Sequence, residues 1–521
     1  MIFQLCIGVF LIVLSSFLIS EEILLTIVSN EIRKKLPLVE GTKMYEVWSS
    51  PMVLSFTCYL FNVTNSDEVM RGENPRMVEY GPFSYDEIQE KQIIDVDEER
   101  DEIKYTTRST YIFNKYRSIN VSKHDKVTIL NPAYIGTIQT LTSLPPDFMK
   151  KYGNSIPKLF QNHSTIFLKA RATDVLFGGV KVTCNTKKYP ELNLICKTLK
   201  AKPPPVLREG DREDVYYLSI FQRINGSLRG PFTVSRGLQD IRKLGNITSY
   251  DGHRVQTLWN TESCNTVKGT DTVTWAPLVE PLPFVSTFIP EMCRTIEADY
   301  ENDVSIHGIT GSQFIMKERV WFLNHSECYC PIVNNELECP PQGLTDVTNC
   351  QKVPIILSEP HFLHADPEVL NYARGLVPNE DLHKTYIVIE PYTGTPLSGQ
   401  KKTQLNLKLT REPLELLSNV SEGYFPLMWC ENGNTPTLSV IAFTYQILRL
   451  INFLKYIQYI PLVVGIYIIS ITILLRGVTQ RKVHPKTTNA QTIFISSNSQ
   501  LNNVVRRPSQ ISRPRQMFTQ F

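Results

Sequence analysis

Two unlike hydrophobic patterns share this chain. Residues 1–20 and 456–475 are apolar runs without a single charged side chain, each long enough to cross a bilayer as a helix. Between them the apolar residues come in short runs rich in Val, Ile, Thr, Tyr and Phe. Those at 52–63, 105–113, 215–224 and 386–390 predict strands. Residues 403–409 carry the clearest signal: Leu405, Leu407 and Leu409 alternate with Gln404, Asn406 and Lys408. That spacing predicts a strand with one apolar and one wetted face, as in an antiparallel sheet.

The stretch 141–177 reads differently. Phe148, Met149, Ile156, Leu159, Phe160, Ile166, Phe167 and Leu168 mingle with Lys150, Lys151, Lys158, Lys169 and Arg171, which predicts short helices with an apolar face and basic flanks. After the first apolar run, Ile23, Ile27 and Glu31 at four-residue spacing prolong that helix until shortly before Pro37. Pro203, Pro204 and Pro205, followed by the mostly charged run 208–214, mark an exposed loop. There is no internal repeat, and no change of composition divides the middle of the chain. The layout is therefore a first span at 1–20, one large domain at 21–455, a second span at 456–475 and a tail at 476–521.

Residues 1–20 lack the basic start and the small residues of a cleaved signal peptide. A cut after Ser20 or Ser16 would put Leu18 or Leu14 at the third position before it, so the run is read as a helix that stays in the membrane. The chain carries 54 basic and 51 acidic residues. Eight of the basic ones lie in the tail (Arg476, Arg481, Lys482, Lys486, Arg506, Arg507, Arg513 and Arg515), which has no Asp or Glu. By the positive-inside rule the tail is cytosolic, both termini are cytosolic, and 21–455 faces the exterior or a lumen. What precedes the tail is net acidic, which excludes a nucleic-acid partner recognised by bulk charge.

The cysteines and sequons agree with an oxidising compartment. Seven Asn-X-Ser/Thr triplets, at Asn62, Asn120, Asn162, Asn225, Asn246, Asn324 and Asn419, all fall between the two spans. Cys264, Cys293, Cys328, Cys330, Cys339 and Cys350 cluster in one stretch. Disulfides are favoured there over zinc, because Cys328-Tyr329-Cys330 lacks the usual ligand gap; six cysteines leave the pairing open. Cys184 with Cys196 is a possible local pair, while Cys6, Cys58 and Cys430 are unassigned.

Several motifs, in order, resemble the class B scavenger receptor family. They are Glu40-Gly41-Thr42, Tyr80-Gly81-Pro82-Phe83-Ser84-Tyr85, Gly269-Thr270-Asp271, Cys293-Arg294-Thr295-Ile296, Cys328-Tyr329-Cys330 and Pro360-His361-Phe362-Leu363-His364-Ala365-Asp366-Pro367. Pro378-Asn379-Glu380, His383-Lys384-Thr385-Tyr386 and Glu390-Pro391-Tyr392-Thr393-Gly394 follow. The resemblance implies an α+β fold: two transmembrane helices flanking an ectodomain with an antiparallel barrel-like core, a helical apical cap and an internal apolar tunnel. It also implies the pairs Cys264 with Cys328, Cys293 with Cys350, and Cys330 with Cys339. The cap would be 141–178. There Phe148, Met149, Lys150, Lys151, Lys158, Leu159, Phe160, Phe167 and Lys169 are the ligand-binding candidates, the cations for anionic head groups and the apolar residues for acyl chains.

The chain also departs from the family. Gln161 and His163 stand where some members place paired lysines, the tail lacks the cysteines others acylate and any acidic dileucine signal, and the insertion around Cys184 to Cys196 has no counterpart. The Gln161 and His163 departure argues against binding of the same anionic ligands, and the tail without a lysosomal sorting signal favours the plasma membrane over the lysosome. No HExxH, GxSxG or phosphate-binding glycine loop is present. His361 and His364 beside Asp366 are read as structural between two prolines, so no catalysis and no cofactor is expected. The expected function is binding of fatty acids, sterols, phospholipids or lipoproteins with lipid transfer to the membrane. Recognition of apoptotic or microbial surfaces without transport, and a sensory role in which lipid-like odorants are handed to a neighbouring receptor, are the alternatives.

Overall fold

The structure, a computed structural model, describes residues 2–20, 26, 30, 33–142, 146–160, 164–201, 203–204, 206–277, 282–317, 320–321, 327–333, 336–434 and 436–483. Most of the helical extension expected at 21–32, the residues Gln161 and His163, the sequons at Asn162 and Asn324, and the tail from 484 onward lie outside the described residues. The chain forms two units, one of residues 1–20 with 458–521 and one of residues 21–457.

The smaller unit holds helix α1 (Ile2–Ser20) and the C-terminal helix Ile460–Val483. They pack closely because glycine faces glycine: a Cβ on Gly8 would lie 2.6 Å from Ile469, and one on Gly465 would lie 2.7 Å from the Gly8 carbonyl. Ser15 also donates to the Gln458 carbonyl at 2.5 Å.

The larger unit is built on a thirteen-stranded antiparallel sheet. Its strands are β1 (Met52–Val63), β2 (Met77–Asp97), β3 (Glu102–Phe113), β4 (Leu228–Ser235), β5 (Ile247–Tyr250), β6 (Phe284–Ile289), β7 (Arg294–Ile306), β8 (Ile309–Ile315), β9 (Leu344–Asp346), β10 (Ile356–Ser358), β11 (Tyr386–Glu390), β12 (Thr395–Leu409) and β13 (Gly423–Asn434). The spatial order is β5-β4-β3-β2-β1-β13-β12-β11-β8-β7-β6, with β10 joining β12 to β9.

The two ends of this path nearly meet. Ile247 donates to the Gly269 carbonyl (2.7 Å), Thr270 donates to the Ser286 carbonyl (3.0 Å), and Phe288 donates to Thr270 (3.1 Å). A two-residue segment thus stitches β5 to β6 and leaves little free edge. Gly269, at φ +91°, is required there, since a Cβ would come within 2.8 Å of the Thr287 nitrogen.

The strands expected at 52–63 and 386–390 match β1 and β11, and 105–113 lies within β3. Two expectations are corrected. Residues 167–171 form a strand, Phe167–Arg171, paired antiparallel with Lys126–Leu130; helical structure here lies in α2 (Pro132–Thr142), α3 (Pro146–Tyr152), the 3-10 turn Gly153–Leu159 and the π-helical turn Asp174–Gly178. The same mixture of apolar and basic residues suits either period, and backbone pairing with 126–130 decides it. In 215–224 only Val215–Leu218 is a strand, because Ile220 and Phe221 turn away to donate to Val175 and Leu176.

The apolar C-terminal region also divides differently from the expected 456–475 span. Helix α4 (Leu438–Ile457) belongs to the larger unit and buries Ile451 beside Trp48 and Phe232, and helix α5 (Ile460–Val483) begins three residues later.

Candidate functional site

Alternation along a strand sends every second side chain to the same face. Met52 and Leu54 on β1, Glu87, Gln89 and Lys91 on β2, Tyr105 and Thr107 on β3, and Ile296 and Ala298 on β7 keep that step of two, and all line one cavity of about 260 Å³. Every strand of the barrel path except β8 contributes to its wall. The shared face is the barrel interior. Its lining is mostly apolar, with Phe232, Val285, Phe288, Met292, Met316 and Trp321 prominent.

Charged groups punctuate this wall. Arg229 binds one oxygen of Glu291 at 2.5 Å and Lys401 binds the other at 3.1 Å. Burial opposes charge on Glu291, but Lys401 and Arg229 outweigh it and hold the carboxyl well below the usual carboxylate range. The Glu291 side chain keeps 39% of its surface accessible, and it lines the cavity. Lys402, also on the wall, lies opposite Glu431 in the β12–β13 ladder. At another point Asp271 accepts from Trp48 Nε1 (2.8 Å) and from the Tyr105 hydroxyl (2.9 Å). Lys91 donates to the Trp48 carbonyl at 2.9 Å.

The cap candidates sit elsewhere. Met149, Leu159, Phe160 and Phe167 are buried in the main core, while Phe148, Lys150, Lys151 and Lys169 are exposed. Lys158 forms an ion pair with Glu191. Only Phe160, Phe167 and Lys169 come together, on a separate and more polar cavity of about 950 Å³ that Lys126, Arg171 and Lys181 also line. None of the nine lines the barrel cavity.

The histidines of the Pro360–Pro367 motif belong to a third arrangement. His361 accepts from the Val377 N–H at Nδ1 (3.0 Å), so its Nε2–H donates to Glu79 (2.6 Å), which also accepts from Trp429 Nε1 (2.7 Å). His361 stacks on His383 with ring centroids 4.4 Å apart. His364 bridges Glu359 (2.8 Å) and Glu380 (2.6 Å). These bonds, led by that to Glu359, raise its pKa to about 9. Burial, helped by His361, lowers that of His383 to about 4. The supposedly wetted face of β12 is part of this arrangement: Gln404 and Asn406 are fully buried, Gln404 accepting from the His361 N–H (2.7 Å) and Asn406 donating to Ser358 (3.0 Å). The segment 356–364 covers that face, which corrects the reading of it as solvated.

Five disulfides staple the larger unit. Cys264–Cys328, Cys293–Cys350 and Cys330–Cys339 are the pairs that the resemblance implies, and Cys184–Cys196 and Cys58–Cys430 complete the set. Cys58 and Cys430 face each other across the β1–β13 ladder. Of the described sequon residues, Asn120 and Asn419 are exposed, and Asn62, Asn225 and Asn246 are half-buried.

Sequence reasoning missed the cavity-lining charges. Lys91 sits in the polar run 86–92, which looks like a wetted strand until closure of the sheet turns one of its faces inward.

These features define a class: a protein with two membrane-length helices whose bulk is a disulfide-stapled, nearly closed barrel with an apolar interior cavity. Residues 6–476 match the CD36 family model, and the chain belongs to that family of class B scavenger-receptor-like membrane proteins. Similar proteins include sensory neuron membrane protein 2 of Ostrinia furnacalis, 30% identical over 495 residues that cover 92% of this chain and 94% of the relative. Sensory neuron membrane protein 2 of Heliothis virescens is 31% identical over 420 residues (78% and 80%). Sensory neuron membrane protein 1 of Apis mellifera is 30% identical over 435 residues (82% and 82%).

Proposed function

We propose that this protein is a plasma-membrane receptor that captures lipid from its surroundings and passes it through the barrel interior to the bilayer. Residues 21–457 lie outside the cell and both termini in the cytosol. The observation that carries this reading is the apolar cavity to which nearly every barrel strand contributes. Each methylene moved from water into such a wall gains about 0.8 kcal/mol, so an acyl chain enters without chemical energy and leaves toward the membrane down its partition gradient. The exposed cations Lys150, Lys151 and Lys169 serve first contact with anionic lipid or lipoprotein surfaces, Phe160 and Phe167 border the separate polar cavity, and the sequon asparagines carry glycans.

Ala298 on β7 tests it. Replacing it with Trp fills the cavity beside its cross-strand partner Val285. Ala298→Trp should reduce cellular lipid uptake severalfold and deplete the acyl lipids that organic extraction and mass spectrometry recover from the purified protein, with particle binding intact. Unchanged uptake with unchanged bound lipid would defeat the transport reading and leave recognition alone.

The names of the relatives support a second reading, in which the lipid-like ligand is an odorant handed to a neighbouring receptor in a sensory neuron. Loss of neuronal responses to such odorants on deletion of the gene, restored by wild type and not by Ala298→Trp, is the expected result under that reading.

A further inference from the structure

Among the described residues four cations line the barrel cavity: Lys91, Arg229, Lys401 and Lys402. Arg229 and Lys401 share Glu291, and Lys402 lies across the ladder from Glu431 while donating to the Leu382 carbonyl at 2.5 Å. Lys91 is different. Among the described residues no carboxylate lies within ion-pair distance of it. Among the described residues it makes one hydrogen bond, to the Trp48 carbonyl, and its ammonium lies 4.9 Å from the Trp48 ring centroid and 5.7 Å from that of Tyr105.

Asp271, whose charge favours the Lys91 cation, is already engaged by Trp48 Nε1, the Tyr105 hydroxyl and the Val273 N–H. The ladder partner of Lys91 on β3 is Thr107, which brings no charge. An ammonium has three donors, so this one holds donors in reserve on the wall of an apolar cavity. Aromatic faces compensate a cation in part, yet burial still lowers the Lys91 pKa to about 8. An uncompensated charge in such a place is costly unless an anion joins it.

We infer that Lys91 is the head-group anchor for a single-chain amphiphile bearing one negative charge, whose tail lies along the apolar wall that includes Leu54, Phe232, Val285 and Phe288. This assignment rests on the proposed lipid passage and adds the chemistry that passage selects. A cavity of about 260 Å³ lies just below the usual range for small-ligand sites, which suits one acyl chain and not a two-chain phospholipid. The interior, and not the exposed lysines of α3, then discriminates between head groups.

The probe pair is hexadecanoic acid and hexadecan-1-ol, which share a chain and differ in charge. They are measured against the full chain in phosphatidylcholine nanodiscs at neutral pH. Wild type should bind the acid about tenfold or more tightly than the alcohol, the size expected for hydrogen bonds to a charged group. Lys91→Met should abolish that preference while keeping affinity for the alcohol, and Lys91→Arg should retain it. A preference that survives in a folded Lys91→Met protein overturns the inference. So does equal affinity of wild type for acid and alcohol, a result that needs no variant to fold. If both probes bind equally and Ala298→Trp displaces both, the lipid passage stands and only the anchor falls; if wild type binds neither, the passage itself has failed.

Discussion

Two clusters of polar side chains are enclosed within the larger unit, and they are built to opposite rules. In the histidine arrangement around β12, donors meet acceptors: His361 with Glu79 and Val377, His364 with Glu359 and Glu380, Gln404 with His361, and Asn406 with Ser358. In the barrel cavity the charges face open space, and one of them, Lys91, has no carboxylate within ion-pair distance among the described residues. A satisfied buried network fixes backbone geometry, whereas donors held in reserve beside an apolar void are what a ligand meets. The motif that stands out in the sequence, Pro360–Pro367, is thus scaffold, and the inconspicuous run 86–92 supplies the site.

The largest effect that separates the two regions is expected at Glu291. Glu291→Gln leaves Arg229 and Lys401 facing each other without their shared anion, which costs about 2 kcal/mol once the partial exposure of Glu291 and Lys401 is discounted. The chemical-denaturation midpoint should fall accordingly; a shift under about 1 kcal/mol would mean that this wall is as wet as an exposed surface.

A smaller effect, about 1 kcal/mol after discount for solvent screening at the half-exposed Glu380, belongs to the histidine arrangement and depends on pH. His364, whose pKa rises to about 9 on folding, contributes fully below about 6.5, its unfolded value, and loses that contribution as pH climbs through 9. His383, lowered to about 4, contributes fully above about 6.5 and loses it as pH falls toward 4. Protection of residues 359–383 against hydrogen exchange should therefore peak near pH 6.5. His364→Gln should remove the alkaline decline and leave the acid one. A profile flat from pH 4 to 9 would break the contrast between a tuned scaffold and an open site.

How much of this was legible in the sequence follows from what each feature depends on. The β1 and β11 strands and both membrane-length helices depend on local composition, and residues 52–63, 386–390 and 1–20 display them directly. Alternation at 403–409 announced a strand, but the burial of Gln404 and Asn406 depends on a segment some 45 residues earlier folding over them. The disulfide pairs came through family resemblance and not through spacing. The cavity was least legible. Glu87, Gln89 and Lys91 become interior only when Gly269 and Thr270 join β5 to β6, and no local pattern near β2 reports that closure. The cap candidates were chosen for their mixture of aromatic and basic residues, a mixture that a core helix with a solvated face shares.

The central claim is that an acyl chain lies inside the barrel. It is tested most directly by photolabelling the full-length protein with a fatty acid carrying a photoreactive group in mid-chain, followed by peptide mapping. Label should fall on β1, β4 and β6, at Leu54, Phe232 and the residues around Val285 to Phe288, and excess unlabelled acid should suppress it. Label confined to Phe148, Lys150 and Lys151 on the exposed cap, with none on those strands, would contradict the account.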